Sequence, residues 1–431
     1  MTQGPPSGRP FFISPPEAKI TAMNILLVHQ NFPGQYRHLA PYLARQGHRV
    51  VAVGERRRGR EIRIPGVRYV AYDPPRGATS STHHYLRATE ANVRRGQQVV
   101  RLALDLARSG WRPRLICAHP GWGESLFLKD VFPQARILNY YEFFYNARGS
   151  DVGFDPEKPP TIDDMCRIRV KNATQLMSFA AGDWGVSPTH WQQRQYPPMM
   201  RALISVIHDG VDTRTVRPDP EAVFESPARK LKLTRRDEVV TYVARNLEPY
   251  RGFHVFMRAL PEILRRRPKA RVLIVGGDEV SYGSPPEGGK TWRRVMLDEV
   301  GAGLDLERVH FLGKIPYPDF LRLLRISSAH VYLTYPFVLS WSMLEAMACG
   351  CLLIGSRTPP VEEVLEDGVN GLLVDFFDPP GIAERVCEAL ENQEQLAPLR
   401  RRARQTVIER YDLHKVCLPQ HLALIETLAA G

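Results

Sequence analysis

Only six cysteines occur in the 431 residues: Cys117, Cys166, Cys349, Cys351, Cys387 and Cys417. None forms a Cys-x-x-Cys pair or joins histidines at zinc spacing, which excludes a disulfide scaffold and a structural zinc module. Lying mostly in or beside apolar runs, they read as reduced thiols of a cytoplasmic protein. Long apolar runs are missing too, since nothing approaches the roughly 18 residues of a spanning helix. Residues 1–22 are rich in proline and lack an apolar stretch between a basic start and a cleavage site, so they read as a disordered extension. The three-glycine dinucleotide fingerprint is absent, which counts against an NAD enzyme. So is an Asp-x-Asp flanked by apolar strand residues, the usual holder of Mn²⁺ or Mg²⁺ against a diphosphate. No resident cofactor and no metal site is therefore expected.

Positive charge is plentiful. Lys and Arg number 58 against 46 Asp and Glu, a net charge of +12, which favours acidic partners: phosphates, nucleic acid or an anionic membrane. The tightest basic runs, 56–58, 265–267 and 400–402, have no interleaved aromatics, so they read as solvated helix ends and loops, and no nucleic acid is expected. A peripheral contact with an anionic membrane, at its inner face, stays open.

From Met23 onward short apolar runs alternate with helical patterns, the signature of βαβ units around a parallel sheet. Strands are predicted at 24–29, 49–53, 67–71, 114–118, 136–140, 183–187 and 203–207, with helices such as 36–46 and 87–108 between them. Residues 208–237 break the pattern with Asp-Gly, three prolines and mixed charge, as an interdomain connection would. Strands resume at 238–243, 271–276, 308–312, 329–333, 351–354 and 371–374. The predicted fold class is α/β, with two Rossmann-like doubly wound parallel-sheet domains facing a central cleft. Their expected spans are 23–212 and 238–410, joined by a linker over 213–237, with 411–431 a helix crossing back to the first domain. Ligands of such sheets sit at the carboxyl ends of the strands, so the two binding edges share the cleft.

Candidate residues cluster at those edges. Gly34 lies in the first strand-to-helix turn, where it permits a ligand to approach the backbone or merely makes a tight turn. His119 follows strand 114–118 directly, with functional and structural readings both open. Arg245 and Arg251 share one strand-to-helix loop and can converge on a diphosphate; solvated surface charge is the plainer alternative. Ser340 can cap a helix whose first amides, those of Trp341 and Ser342, would offer an anion site. Glu345 lies inside that otherwise apolar helix, where a carboxylate needs a partner such as a ribose diol. The aromatic stretch 139–155, with Arg148 and Asp151, reads as too polar for core and suits a sugar acceptor.

Arg245, Arg251-Gly252, the run 344–350 (Leu-Glu-Ala-Met-Ala-Cys-Gly), the run 358–374 and the segment 207–212 (Ile-His-Asp-Gly-Val-Asp) occur in one order. Together they resemble the retaining glycosyltransferases of family 4, of GT-B fold, over nearly all of 23–428. The resemblance implies a metal-independent hexosyl transfer from a nucleotide diphosphate sugar, the co-substrate, to an unidentified acceptor: a sugar, a lipid-linked sugar or a small molecule. By the same resemblance Arg245 and Arg251 hold the diphosphate, Arg251 standing where the family usually has lysine. Glu345 takes the ribose, the Ser340–Ser342 backbone a phosphate, Gly34 the turn beneath the donor and His119 a donor-sugar hydroxyl. One position departs: Phe337 stands where the first glutamate of the family's pair is expected, unless a two-residue insertion puts Tyr335 there. An apolar ring at that point predicts relaxed selection among epimeric sugars. A sugar-nucleotide epimerase of the same fold and a non-catalytic sugar-nucleotide binder remain alternatives.

Overall fold

In a computed structural model, which describes residues 22–57, 59 and 61–431, the chain folds around two parallel sheets. Apart from Ala22, the extension expected over 1–22 lies outside these residues. The first sheet comprises β1 (Asn24–Val28), β2 (Arg49–Glu55), β3 (Val67–Tyr72), β4 (Leu115–Ala118), β5 (Arg136–Tyr140), β6 (Trp184–Ser187) and β7 (Ile204–Val206). Its order is β3-β2-β1-β4-β5-β6-β7. Strands β1 and β4 are apolar along almost their whole length because helices cover both sheet faces. The long amphipathic pattern over 87–108 forms the helix Arg87–Arg108.

Residues 213–237 do not behave as a plain connection. They contain an antiparallel hairpin, β8 (Val223–Ser226) with β9 (Leu231–Thr234), in which Phe224 and Leu233 pair directly. Both side chains bury in the core around Leu323 and Leu324, on the helix Tyr317–Ile326. The second sheet contains β10 (Val239–Asn246), β11 (Arg271–Gly277), β12 (Val309–Gly313), β13 (Ala329–Tyr332), β14 (Leu353–Ser356) and β15 (Leu372–Val374). It runs β12-β11-β10-β13-β14-β15, parallel throughout.

The final helix, Leu418–Ala430, leaves the second domain and buries Leu418 and Ile425 with Ile25, Leu27 and Leu43 of the first. Two of the basic runs, 265–267 and 400–402, are not simply solvated, and Arg58 of the third lies outside the described residues. Arg267 pairs with Glu238, and Arg400 is buried and donates to the Ser327 and Ser328 carbonyls. No helix among the described residues is long and apolar enough to cross a membrane.

Strand order reverses between β1 and β4 in one sheet and between β10 and β13 in the other. Crevices of open α/β sheets form at such points, beyond the carboxyl ends of the strands. His29 and His119 directly follow β1 and β4, Arg245 is the penultimate residue of β10, and Thr334 comes just after β13.

Candidate active site

The first domain brings four polar side chains together through bonds whose direction is fixed. His29 Nδ1 accepts the Asn31 N–H at 2.9 Å, and His119 Nδ1 accepts the Gly121 N–H at 3.2 Å. Each neutral imidazole must then carry its proton on Nε2. His29 Nε2 donates to Gln35 Oε1 at 2.6 Å, which leaves the Gln35 amide nitrogen to donate to Glu142 Oε1 at 3.1 Å. His119 Nε2 lies 3.5 Å from Glu142 Oε2 and has no other partner among the described residues. Burial pushes His29 down to about 3, with His119 adding to the effect, so it serves as a neutral donor. Burial opposes ionisation of Glu142, but His119, Arg245 and Arg251 together outweigh it and hold the carboxyl below its usual range.

Gly34 is required by this arrangement. Its φ is +46°, and a Cβ there would stand 2.4 Å from the His29 ring. What crowds the turn is an imidazole of the chain itself.

A cavity of about 260 Å³ opens between the two sheet edges. Gln35, Glu142 and Asp209 line it from the first domain; Arg245, Arg251, Ser340, Trp341, Ser342 and Glu345 line it from the second. Six of the nine residues singled out in the sequence therefore meet here. Arg245 is exposed and has no hydrogen-bond or ion-pair partner among the described residues, so its guanidinium is free for a ligand. Arg251 is buried. Its Nη1 donates to Thr334 Oγ1 at 2.7 Å, to the Val338 carbonyl at 3.0 Å and to Tyr332 Oη at 3.3 Å.

Ser340 caps the helix Trp341–Ala348 as expected, but its Oγ accepts the Ser342 N–H at 3.4 Å. The anion site is thereby reduced to the Trp341 amide. Glu345 has a protein partner, the Tyr317 hydroxyl, which donates to Oε1 at 2.6 Å. It lines both the main cavity and a branch of about 110 Å³ beside Tyr317 and Asp212.

Three predicted residues lie off the cavity wall: Gly34, His119 and Phe337. His119 is buried, its free nitrogen aimed at Glu142, so Glu142 rather than His119 faces the cleft. Phe337 turns its ring into an adjoining cavity of about 420 Å³, which also contains Tyr145, Asp151, Tyr250 and Tyr335. There it packs against Phe143 at 4.6 Å and Tyr282 at 5.1 Å between ring centroids. The Tyr335 hydroxyl is not free either, because it donates to Asp155 at 3.0 Å.

The stretch 139–155 is less polar than its sequence suggests. Tyr140, Tyr141, Phe143 and Phe144 are all buried, and only its later part borders the larger cavity. The residues missed in the sequence are Glu142, Gln35, His29 and Asp209. Glu142 and Asp209 each stand just beyond the carboxyl end of a strand, β5 and β7, which was the available signal.

Two family models match. Residues 46–216 match the "Glycosyl transferase family 4 group" and residues 224–406 the "Glycosyl transferases group 1". Among curated proteins, the D-inositol 3-phosphate glycosyltransferase of Corynebacterium efficiens is 28% identical over 193 residues, 44% of this chain and 43% of that protein. That of Mycobacterium sp. (strain JLS) is 30% identical over 175 residues, 41% of this chain and 36% of that protein. The match thus spans less than half the length of these relatives. Among solved structures, the sucrose-phosphate synthase of Thermosynechococcus elongatus superposes with a TM-score of 0.70 at 17% identity, covering 95% of this chain and all of that one (100%). Anabaena HepE in complex with UDP and glucose gives a TM-score of 0.66 at 16% identity, with coverage of 95% and 100%. Two parallel-sheet domains in this order, their facing edges lined by the motif residues, and both family matches lead to one conclusion: the chain belongs to glycosyltransferase family 4, with the GT-B fold.

Proposed function

We propose that this protein transfers a hexosyl group from a nucleotide diphosphate sugar to an acceptor, with retention at the anomeric carbon. The observation that carries the reading is the concentration on one wall of the cleft of positive charge that is in no ion pair among the described residues. Arg245 has no hydrogen-bond or ion-pair partner among the described residues, Arg251 stands beside it in the same cavity, and the Trp341 amide opens a helix there. Donors fixed in place before the reaction stabilise charge as it develops on a departing diphosphate. Glu345, at the mouth of the narrow branch, would take the ribose hydroxyls. The two arginines supply the charge stabilisation, so transfer is expected to continue in EDTA.

For the acceptor we favour the larger cavity, which meets the cleft at Tyr282. Lys158 lies over the Trp292 ring at 4.4 Å and Lys171 over Tyr145 at 3.5 Å, so cations and aromatic faces line the same space. A polyol carrying a phosphate suits such a wall, and the relatives named above act on inositol 3-phosphate. The test is turnover of UDP-, GDP- and ADP-sugars with and without inositol 3-phosphate, following release of nucleoside diphosphate. Transfer releases it faster with acceptor. An epimerase would isomerise the donor without acceptor, and a binder would leave it intact.

A further inference from the structure

Phe337 leaves the expected sugar-binding carboxylate missing from the second domain, yet a carboxylate does face the cleft from the first. We infer that Glu142 takes the place of the missing glutamate: it binds hydroxyls of the donor sugar and sets which epimer is accepted. This rests on the transfer reading above.

The two positions are clamped side by side across the domain boundary. Consecutive residues of the helix His190–Arg194 hold them: the Trp191 indole N–H donates to the Phe337 carbonyl at 3.0 Å, and the Gln192 amide donates to the Glu142 carbonyl at 2.7 Å. The start of that helix is itself tied to the second domain, since the Glu363 carboxylate accepts the His190 N–H at 2.8 Å and the Trp191 N–H at 2.5 Å. Phe143 and Phe337 then meet ring to ring. Phe337 points into the adjoining cavity, whereas Glu142, the neighbour of Phe143, lines the cleft with Arg245 and Arg251.

The carboxylate is also oriented in advance. The His29–Gln35 chain fixes Oε1 and His119 faces Oε2, so each oxygen has one polar neighbour among the described residues. An ionised carboxyl can accept about four hydrogen bonds, which leaves capacity for a pair of sugar hydroxyls. His119 and His29 become positioning residues for Glu142, which explains why two buried imidazoles are wired to one carboxylate. A fixed acceptor of this kind rejects the wrong hydroxyl configuration far more strongly than an aromatic ring does. Relaxed selectivity, as Phe337 alone would predict, is therefore not expected.

The test uses the full chain and whichever of UDP, GDP and ADP the wild type binds. Calorimetry compares the free nucleotide with its glucose form; kinetics compares the glucose, galactose and mannose forms. The wild type should prefer one epimer by more than about a thousandfold, beyond the roughly 10–200-fold range of apolar discrimination. Glu142→Gln should bind the free nucleotide within about twofold of wild type, bind the sugar form at least about tenfold more weakly, and shrink the epimer preference below about tenfold. Gln35→Leu, which frees Oε1, should move the same readouts in the same direction by less. Parallel loss of nucleotide and sugar-nucleotide affinity overturns the proposal, and so does an epimer preference unchanged in both variants. A wild-type chain that binds no sugar nucleotide overturns the transfer reading itself, and this inference with it.

Discussion

The Trp341 indole donates to Asp209 Oδ2 at 2.8 Å, and the Tyr140 hydroxyl donates to the same oxygen at 3.0 Å. One carboxylate oxygen thereby ties together the binding edges of both domains. Burial pushes the Asp209 pKa up to about 7, although the two donors pull it down. The folded state thus holds this proton more tightly than the unfolded chain, where the value is about 3.9. The contribution to stability is full below about pH 4 and fades as pH rises through about 7. Asp209→Asn keeps an oxygen acceptor and removes the titration. Melting both proteins at pH 5 and pH 8 should show wild type losing ground to the variant at the higher pH; a constant difference contradicts the assignment.

Arg245 and Arg251 should separate in stability though not in kinetics. Either change to alanine should lower kcat/KM by about a hundredfold to a thousandfold, as for removal of one preorganised donor. Arg251→Ala also strips Thr334 Oγ1 and the Val338 carbonyl of a buried donor, at a cost of about 1–3 kcal/mol. Arg245→Ala breaks no side-chain hydrogen bond or ion pair among the described residues and should leave Tm in place. Thermal melts beside initial rates check both statements.

Tyr250 donates to Asp151 at 2.8 Å and Tyr335 to Asp155 at 3.0 Å, two bonds that join the domains around the larger cavity. Tyr250→Phe and Tyr335→Phe should each destabilise by about 1–3 kcal/mol, because each leaves a poorly solvated aspartate oxygen short of a donor. Epimer preference should not change in Tyr335→Phe, since that hydroxyl is already engaged. A changed preference would assign the sugar contact to Tyr335.

Glu345→Gln keeps the shape of the side chain and its contact with Tyr317. Affinity for free nucleotide and for sugar nucleotide should fall together, by roughly 1.5–3 kcal/mol for a hydrogen bond to a charged group. Calorimetry decides this. Unchanged affinity with a collapsed kcat would make Glu345 a participant in the chemistry instead.

The parallel strands were legible because both faces of each sheet are covered, which turns runs such as Ile-Leu-Leu-Val at 25–28 almost uniformly apolar. The hairpin Val223–Thr234 was not, since each arm has only four residues and its buried Phe224 and Leu233 stand among Glu225, Lys230 and Lys232. Arg245, Arg251 and Glu345 could be placed because motif and strand end coincide. Glu142 could not. Its meaning comes from Gln35, 107 positions earlier, and from His119 just beyond the end of another strand, while its own neighbours spell an aromatic run. His119 was placed at the right strand end, but only the tautomer fixed by the Gly121 amide shows that it faces Glu142 rather than open cleft.

Retaining transfer from a nucleotide diphosphate sugar is read from the anomeric proton of the first-formed product. The wild-type chain would be incubated in EDTA with the α-linked sugar nucleotide that it prefers and with inositol 3-phosphate as acceptor, and followed by proton NMR. An α-linked glycoside should appear in step with free nucleoside diphosphate. A β-linked first product, or a donor left unchanged while bound, would contradict retaining transfer.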